Sequence, residues 1–208
     1  MVTTGTYRIT GRQLTETIDN WDRLINFKVN LIGCGGTALT LLEIKESTKD
    51  IDIIVPVRKE YERLITFLQS IGYEEKGGGL VHPDDPYFIY QFWVGNRVFT
   101  TELLDSPLDP GRNIPIKKWR HIYLAVLNLQ DLIITKMFRG MQVDVDDCMA
   151  VFSASNMDPE NLLERYIEAA KYDLNPKKMI ENFMVLAEAL LDNELVAREF
   201  LEKVEAYR

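Results

Sequence analysis

Two short apolar runs constrain this chain most: KVNLIGC (28–34) and IDIIVPV (51–57). Both are rich in β-branched residues and bounded by polar or turn-forming residues, the pattern of a buried strand. The first breaks at Gly35-Gly36-Thr37 and opens a helical stretch, ALTLLEI. Asp50 and Asp52 mark the entry to the second. A chain that must bury two such strands and the helix between them builds a sheet with helices packed on it.

The rest of the first half extends this plan. GRQLTETIDNWDRLINF (11–27) places Leu14, Ile18, Trp21, Leu24 and Ile25 at helical spacing. KEYERLITFLQSIG (59–72) is an amphipathic helix with Tyr61, Leu64, Ile65, Leu68 and Ile71 inward, closed by Gly72. Gly77-Gly78-Gly79 predicts a turn and VHPDDP (81–86) a loop. YFIYQFWV (87–94) and RVFTTELL (97–104) read as two strands around a Gly95-Asn96 hairpin turn. PLDPGRNIP (107–115) is the linker candidate, and HIYLAVL (121–127) the last strand. Asn128 is placed to cap a helix running to Arg139 and stopped by Gly140. Helices follow over 144–154, 159–172, 176–192 and 193–206. The expected fold is α+β: a mixed-sheet core flanked by helices over 1–127, then a helical C-terminal bundle over 128–208. A cleft between two such parts is a usual seat for a ligand.

Composition narrows the function. With 46% hydrophobic and 27% charged residues in 208, the chain is too apolar to be disordered. No stretch approaches the roughly 18 apolar residues of a membrane span. The first twenty residues lack a basic segment followed by an apolar one, so neither a secretory signal nor a lipid anchor is expected. Cys34 and Cys148 stand far apart without CxxC partners, and only His82 and His121 supply imidazoles. No zinc site or disulfide framework is indicated, and a cytoplasmic protein is expected.

A net charge of -8 argues against binding nucleic acid over the whole surface. The charge is uneven, though. From Arg112 to Arg139 there are six Lys/Arg against the single acid Asp131, and from Met157 to Arg208 twelve acids against seven bases. A basic band in an acidic chain suits a discrete anion; a solvated face is the plain alternative.

Asp50 and Asp52 are two apart on a strand, so both point to one face. Two neighbouring carboxylates repel unless a cation lies between them, and hard oxygens suit Mg²⁺. Gly35 and Gly36 let a phosphate approach the backbone, and Thr37 with the helix start supplies N–H donors. Each half has a plainer reading, a tight turn for the glycines and a solvated strand edge for the acids. Buried among Ile51, Ile53 and Ile54, however, an uncompensated Asp52 would be costly.

Gly35-Gly36-Thr37 followed by Asp50-Ile51-Asp52 resembles the signature of the DNA polymerase β-type nucleotidyltransferase superfamily. Downstream, LQDLIITKMFRG (129–140) and then Asp144, Asp146 and Asp147 resemble the AbiEii-like and DUF6036-type branches. The resemblance spans about 28–152. It implies transfer of a nucleoside monophosphate from an NTP such as ATP to a hydroxyl of RNA, protein or a small molecule, with Mg²⁺ or Mn²⁺. It also suggests a toxin–antitoxin setting. By this resemblance Asp50 and Asp52 are catalytic metal ligands, and Gly35, Gly36 and Thr37 hold the β/γ-phosphates. Lys136 and Arg139 lie toward the triphosphate, and Asp144 or Asp147 lies near the nucleotide or orients Lys136. On the residues alone, Lys136 on an apolar helix either snorkels to the surface or is paired in a cleft.

One departure stands out. The superfamily usually carries a third acid on a later strand, which helps activate the nucleophile. Glu102 is the best candidate here and Asp105 the next; a register that puts Thr100 or Thr101 there leaves no base. The mildly changed serine position is Thr37. The rival to an enzyme is therefore a non-catalytic nucleotide- or partner-binding protein on a degenerate nucleotidyltransferase fold. His82 with Asp84 and Asp85 is a polar loop or a weak metal cluster. Phe88, Tyr90, Phe92 and Trp93 serve as core or as a stacking platform.

Overall fold

The computed structural model describes residues 7–208. The start of the N-terminal segment read above for a leader lies outside the described residues. The chain divides into two compact units, one running to Arg97 with Asp105–Asn128, the other comprising Val98–Leu104 with Leu129–Arg208.

The first unit opens with β1 (Ile9–Thr10) and α1 (Gly11–Leu24). Thr10 and Gln13 form a reciprocal cap, each side chain accepting the other's backbone N–H. Then come β2 (Val29–Gly33), α2 (Gly35–Leu41), β3 (Ser47–Thr48), β4 (Asp50–Val55) and α3 (Arg58–Ser70). β5 (Glu74–Lys76), β6 (Gly79–His82) and β7 (Asp85–Val94) follow; the chain then passes through β8 (Arg97–Val98) and β9 (Thr101–Glu102), which apart from Arg97 belong to the second unit, before β10 (Asn113–Lys118) and β11 (Ile122–Leu127).

Seven of these strands form a mixed sheet in the order β10-β11-β2-β4-β7-β6-β5. β11 runs parallel to β2 and β4 parallel to β7, while β2 and β4 are antiparallel. Leu31, Ile32, Ile51, Ile53 and Ile54 are wholly buried. Burying a side chain of this size contributes about 1.5–3 kcal/mol, so these central strands hold the unit together. Asp22 of α1 ties the helix to the sheet, its Oδ1 accepting the backbone N–H groups of His121 and Ile122 at 2.7 and 2.8 Å. Both sheet edges are blunted. β5 is three exposed charged residues, and β10 carries Pro115, a register shift, Lys117 and Lys118.

Three expectations need revision. RVFTTELL is not one strand: Phe99 takes φ +52, which breaks it into β8 and β9, paired only with each other. The linker reading of 107–115 runs too far, because Asn113 onward is the edge strand β10. Gly77 and Gly78 do form a turn, but it joins β5 and β6, a hairpin with too few apolar residues to announce itself.

The second unit is built on α4 (Leu129–Arg139), α5 (Gln142–Ser153), α6 (Pro159–Ala170), α7 (Pro176–Asp192) and α8 (Arg198–Glu205). α6 and α7 start on proline at the first turn, with Asp158 and Asn175 as side-chain caps. Phe138, Tyr166, Phe183 and Phe200 form a run of ring contacts through its core. The Tyr166 hydroxyl, buried, donates to the Met179 carbonyl at 2.7 Å. The last helix begins later than its sequence suggested, since Glu194 takes φ +59 and turns the chain first. No helix among the described residues is long and apolar enough to cross a membrane.

Candidate functional site

β2 ends at Gly33, and the chain turns through Cys34 directly into α2 at Gly35. Gly35 takes φ +54, a conformation that favours glycine. A Cβ there would stand 2.9 Å from Oδ2 of Asp52, and a Cβ on Gly36 would stand 2.6 Å from the Thr48 hydroxyl. Gly35 and the Asp52 carboxylate therefore abut, while the missing side chain of Gly36 lets Thr48 pack against the corner. The first turn of α2 adds backbone N–H groups that a helix cannot satisfy internally.

Thr37 is fully buried and fixes this corner. Its hydroxyl accepts the backbone N–H of Asp52 at 2.8 Å and donates to the carbonyl of Asp50 at 3.3 Å. Thr48 donates to the same carbonyl at 3.0 Å, and Cys34 N–H donates to the Asp52 carbonyl at 3.1 Å. The backbone around both aspartates is thus pinned by side chains of α2 and β3 and by the Cys34 backbone between β2 and α2.

Asp50 is exposed and Asp52 buried, and their spacing in β4 sends both side chains to one face. Two hard carboxylates beside a gap that a Cβ would fill are a donor set that fits a divalent cation such as Mg²⁺. No group of three His, Cys, Asp or Glu suited to a metal exists among the described residues. The strand paired to β4 is β7, in a register that sets Ile89 beside Asp50 and Gln91 beside Asp52. A neutral amide thus occupies the neighbouring position on that strand.

Glu102 lies exposed on β9, in the second unit. Asp105 lies in the first and is ion-paired with Arg112 at 3.3 Å. Thr101, beside Glu102, is buried, and its hydroxyl finds no hydrogen-bond partner. His82 accepts the Asp84 backbone N–H on Nδ1 at 3.2 Å and packs edge-on to Tyr73. Tyr90 is also buried in that ring cluster with Trp21 and Tyr73, which makes it core.

In the second unit Lys136 is paired and buried rather than snorkelling. Its Nζ lies 2.6 Å from Asp147 Oδ2 and 3.7 Å from Asp144 Oδ1. Arg139 grips Asp144 with two nitrogens at 2.8 and 2.5 Å, and its guanidinium lies 5.2 Å from the Phe99 ring centre. All four groups that the sequence analysis picked from this stretch therefore form one cluster, with two positive charges against two negative. Cys148 lies close enough for its thiol to be affected. Burial raises its pKa; Lys136 lowers it, and Asp144 and Asp147 raise it further.

Sequence reasoning missed Asp22, Gln91 and the Asp131–Arg165 pair, whose atoms meet at 2.7 Å. The two pairings across elements carry no local signal. Gln91 becomes notable only through the β4–β7 register.

A family model for nucleotidyltransferases of unknown function, DUF6036, matches residues 12–194. Two solved structures are similar at low identity. One is an antigenic nucleotidyltransferase-like protein from Paracoccidioides brasiliensis, 11% identical, with a TM-score of 0.45 over 83% of this chain and 94% of that one. The other is a lincosamide antibiotic adenylyltransferase, LnuA, bound to lincomycin, 14% identical, with a TM-score of 0.49 over 72% of this chain and 100% of that one. No curated protein matches the chain.

Proposed function

Since the chain belongs to the DUF6036 family of nucleotidyltransferases, we propose that its first unit binds a nucleoside triphosphate with Mg²⁺ or Mn²⁺ and passes the nucleoside monophosphate to a hydroxyl. The acceptor oxygen bonds to the α-phosphorus, the bond from that phosphorus to the bridging oxygen breaks, and pyrophosphate leaves. The hydroxyl proton goes to a base. The observation that carries this reading is the closeness of Gly35, at φ +54, to the Asp52 carboxylate: a Cβ on this glycine would stand 2.9 Å from Oδ2. It joins a backbone that admits phosphate to a carboxylate that takes a cation.

Asp50 and Asp52 are the residues that would hold the ion. When bound, the ion would neutralise phosphate charge and polarise the oxygens around the reacting phosphorus. Gly35 and Gly36 let the triphosphate reach the backbone, and Thr37 keeps both carboxylates in register. Lys136, Arg139, Asp144 and Asp147 keep the nucleotide-binding role that the resemblance implies, and Glu102 that of proton acceptor. RNA, a protein and a small molecule are the acceptor classes, and the cytoplasm, where NTPs are made, is the setting. A toxin–antitoxin role belongs to the same proposal; arrested growth on expression, relieved by Asp52→Asn, is its readout.

The test is incubation with each α-labelled NTP, Mg²⁺ or Mn²⁺, and host RNA and protein. Label is expected in a macromolecule or small product with the wild-type chain and is lost in Asp52→Asn. Glu102→Gln is expected to stop transfer while leaving nucleotide binding intact. A second reading, a nucleotide-binding protein without turnover, is favoured by one observation: Gln91, not an acid, stands beside Asp52 on the adjoining strand. Metal-dependent NTP binding with no transfer to any acceptor would select it.

A further inference from the structure

On β7, side chains two apart share a face, so Tyr87, Ile89, Gln91 and Trp93 stand on the same side of the sheet as Asp50 and Asp52. Tyr90 and Phe92 point to the other side, toward Trp21. Ile89, Gln91 and Trp93 are half-buried and Tyr87 is exposed. Tyr87 is two residues before the level of Asp50, about 6.6 Å along a strand. Tyr7 reaches the same place by another route. It precedes β1, which pairs Ile9 with Thr48 of β3, and β3 leads into β4 just before Asp50.

There the rings of Tyr7 and Tyr87 stack with centroids 3.6 Å apart and planes 9° from parallel. Each residue nevertheless remains 54% exposed. Large aromatic side chains are normally buried for the area they remove from water. Among the described residues these two rings stack on each other, and the exposed part of each is open to a third flat group. A face-to-face pair of phenols is also a less favoured arrangement than an offset one. Neither ring belongs to the core cluster around Tyr73 and Tyr90, so core packing does not account for the pair.

We propose that the Tyr7–Tyr87 stack seats the nucleobase of the donor nucleotide, which rests on the reading of Asp50, Asp52 and Gly35 as its phosphate and metal end. Stacking takes any base, and it favours purines through their larger ring area. The face then selects a nucleotide by its π surface at one end and its charge at the other. Along the same strand face half-buried Ile89, beside Asp50, lies between the stack and Gln91, whose amide stands at the level of Asp52.

The experiment is titration calorimetry with Mg²⁺ and four ligands: ATP, CTP, inorganic tripolyphosphate and a short single-stranded RNA. The proteins are the full chain, Tyr87→Ala, Tyr87→Trp and Asp52→Asn, each checked by circular dichroism. Tyr87→Ala is expected to weaken ATP binding about tenfold, the usual loss for one stacked base. It leaves tripolyphosphate unchanged and narrows the preference for ATP over CTP. Tyr87→Trp restores ATP binding. An ATP affinity indifferent to Tyr87→Ala, or an equal loss for ATP and tripolyphosphate, overturns the base seat. So does RNA binding that depends on Tyr87 while ATP binding does not, since the base would then be the acceptor's. If tripolyphosphate binds wild-type and Asp52→Asn equally, or nothing binds the wild type, the phosphate and metal reading falls, and the base seat with it. A base-seat failure alone leaves tripolyphosphate binding sensitive to Asp52→Asn.

Discussion

Gly35 shows how narrow the candidate site is at the level of one residue. Its positive φ makes any side chain strained, and a Cβ would press on the Asp52 carboxylate. Gly35→Ala is therefore expected to cost about 1–3 kcal/mol of stability from backbone strain alone. It should also abolish metal-dependent nucleotide binding, because the alanine methyl occupies the approach. Urea unfolding and titration of Mg²⁺-ATP check the two effects separately; retained binding at reduced stability would make Gly35 merely a turn residue. The sequence revealed the glycine pair and the aspartates as one conjunction, although each half alone has a plausible dull reading. What it did not carry was their contact, which depends on how sharply the chain turns from β2 into α2. Thr37 was read as a phosphate donor, yet its hydroxyl also holds the β4 backbone on both sides of Ile51. A buried hydroxyl with two partners is a structural clamp whatever else it does.

At the scale of elements, α4 and α5 are joined by charge rather than by apolar contact alone. Lys136 of α4 and Asp147 of α5 are both almost wholly buried. Removing one partner of such a pair leaves the other charge uncompensated, a loss of about 3–5 kcal/mol. Asp147→Ala should therefore destabilise far more than the paired replacement Lys136→Met with Asp147→Leu, which removes both charges. Denaturant melts of the three proteins test this, and equal losses would show that the pair is not coupled.

Which elements were legible follows the same physics. Central strands such as β4 are continuous apolar runs, and helices such as α3, α6 and α7 carry periodic stripes, glycine stops or proline starts. β10 and β5 sit at sheet edges, so they lack the buried residues from which strands are recognised. RVFTTELL looked like a strand by composition, and only the positive φ of Phe99 shows otherwise. Gln91 was readable as a residue but not as a neighbour of Asp52. Parallel pairing across the intervening helix and hairpin leaves no trace in local sequence.

The whole molecule holds several acids that burial makes weaker. Burial raises Tyr73, Tyr90 and Tyr166 above the ordinary phenol value of 10.0, and Cys148 above the thiol value of 9.0. In the unfolded chain these groups ionise near their ordinary values, while in the folded one they keep their protons. Their contribution to stability is complete below those ordinary values and is lost as pH rises toward the raised ones. Thermal unfolding followed by circular dichroism should therefore show a steady Tm from about pH 7 to 8.5 and a fall above about pH 10. A Tm unchanged through about pH 11 would contradict that account. Cys34 and Cys148, both buried, should resist a thiol reagent at neutral pH until the chain is unfolded.

The outer strands of the seven-stranded sheet bring a further consequence. Backbone groups on an open edge recruit strands from other molecules, the first step toward fibrils. Here one rim is a three-residue charged stub and the other is interrupted by proline and a shifted register, with two lysines at its end. Concentrating the folded protein should therefore not seed β-fibrils through this sheet, and thioflavin fluorescence should appear only once β10 has been detached from β11.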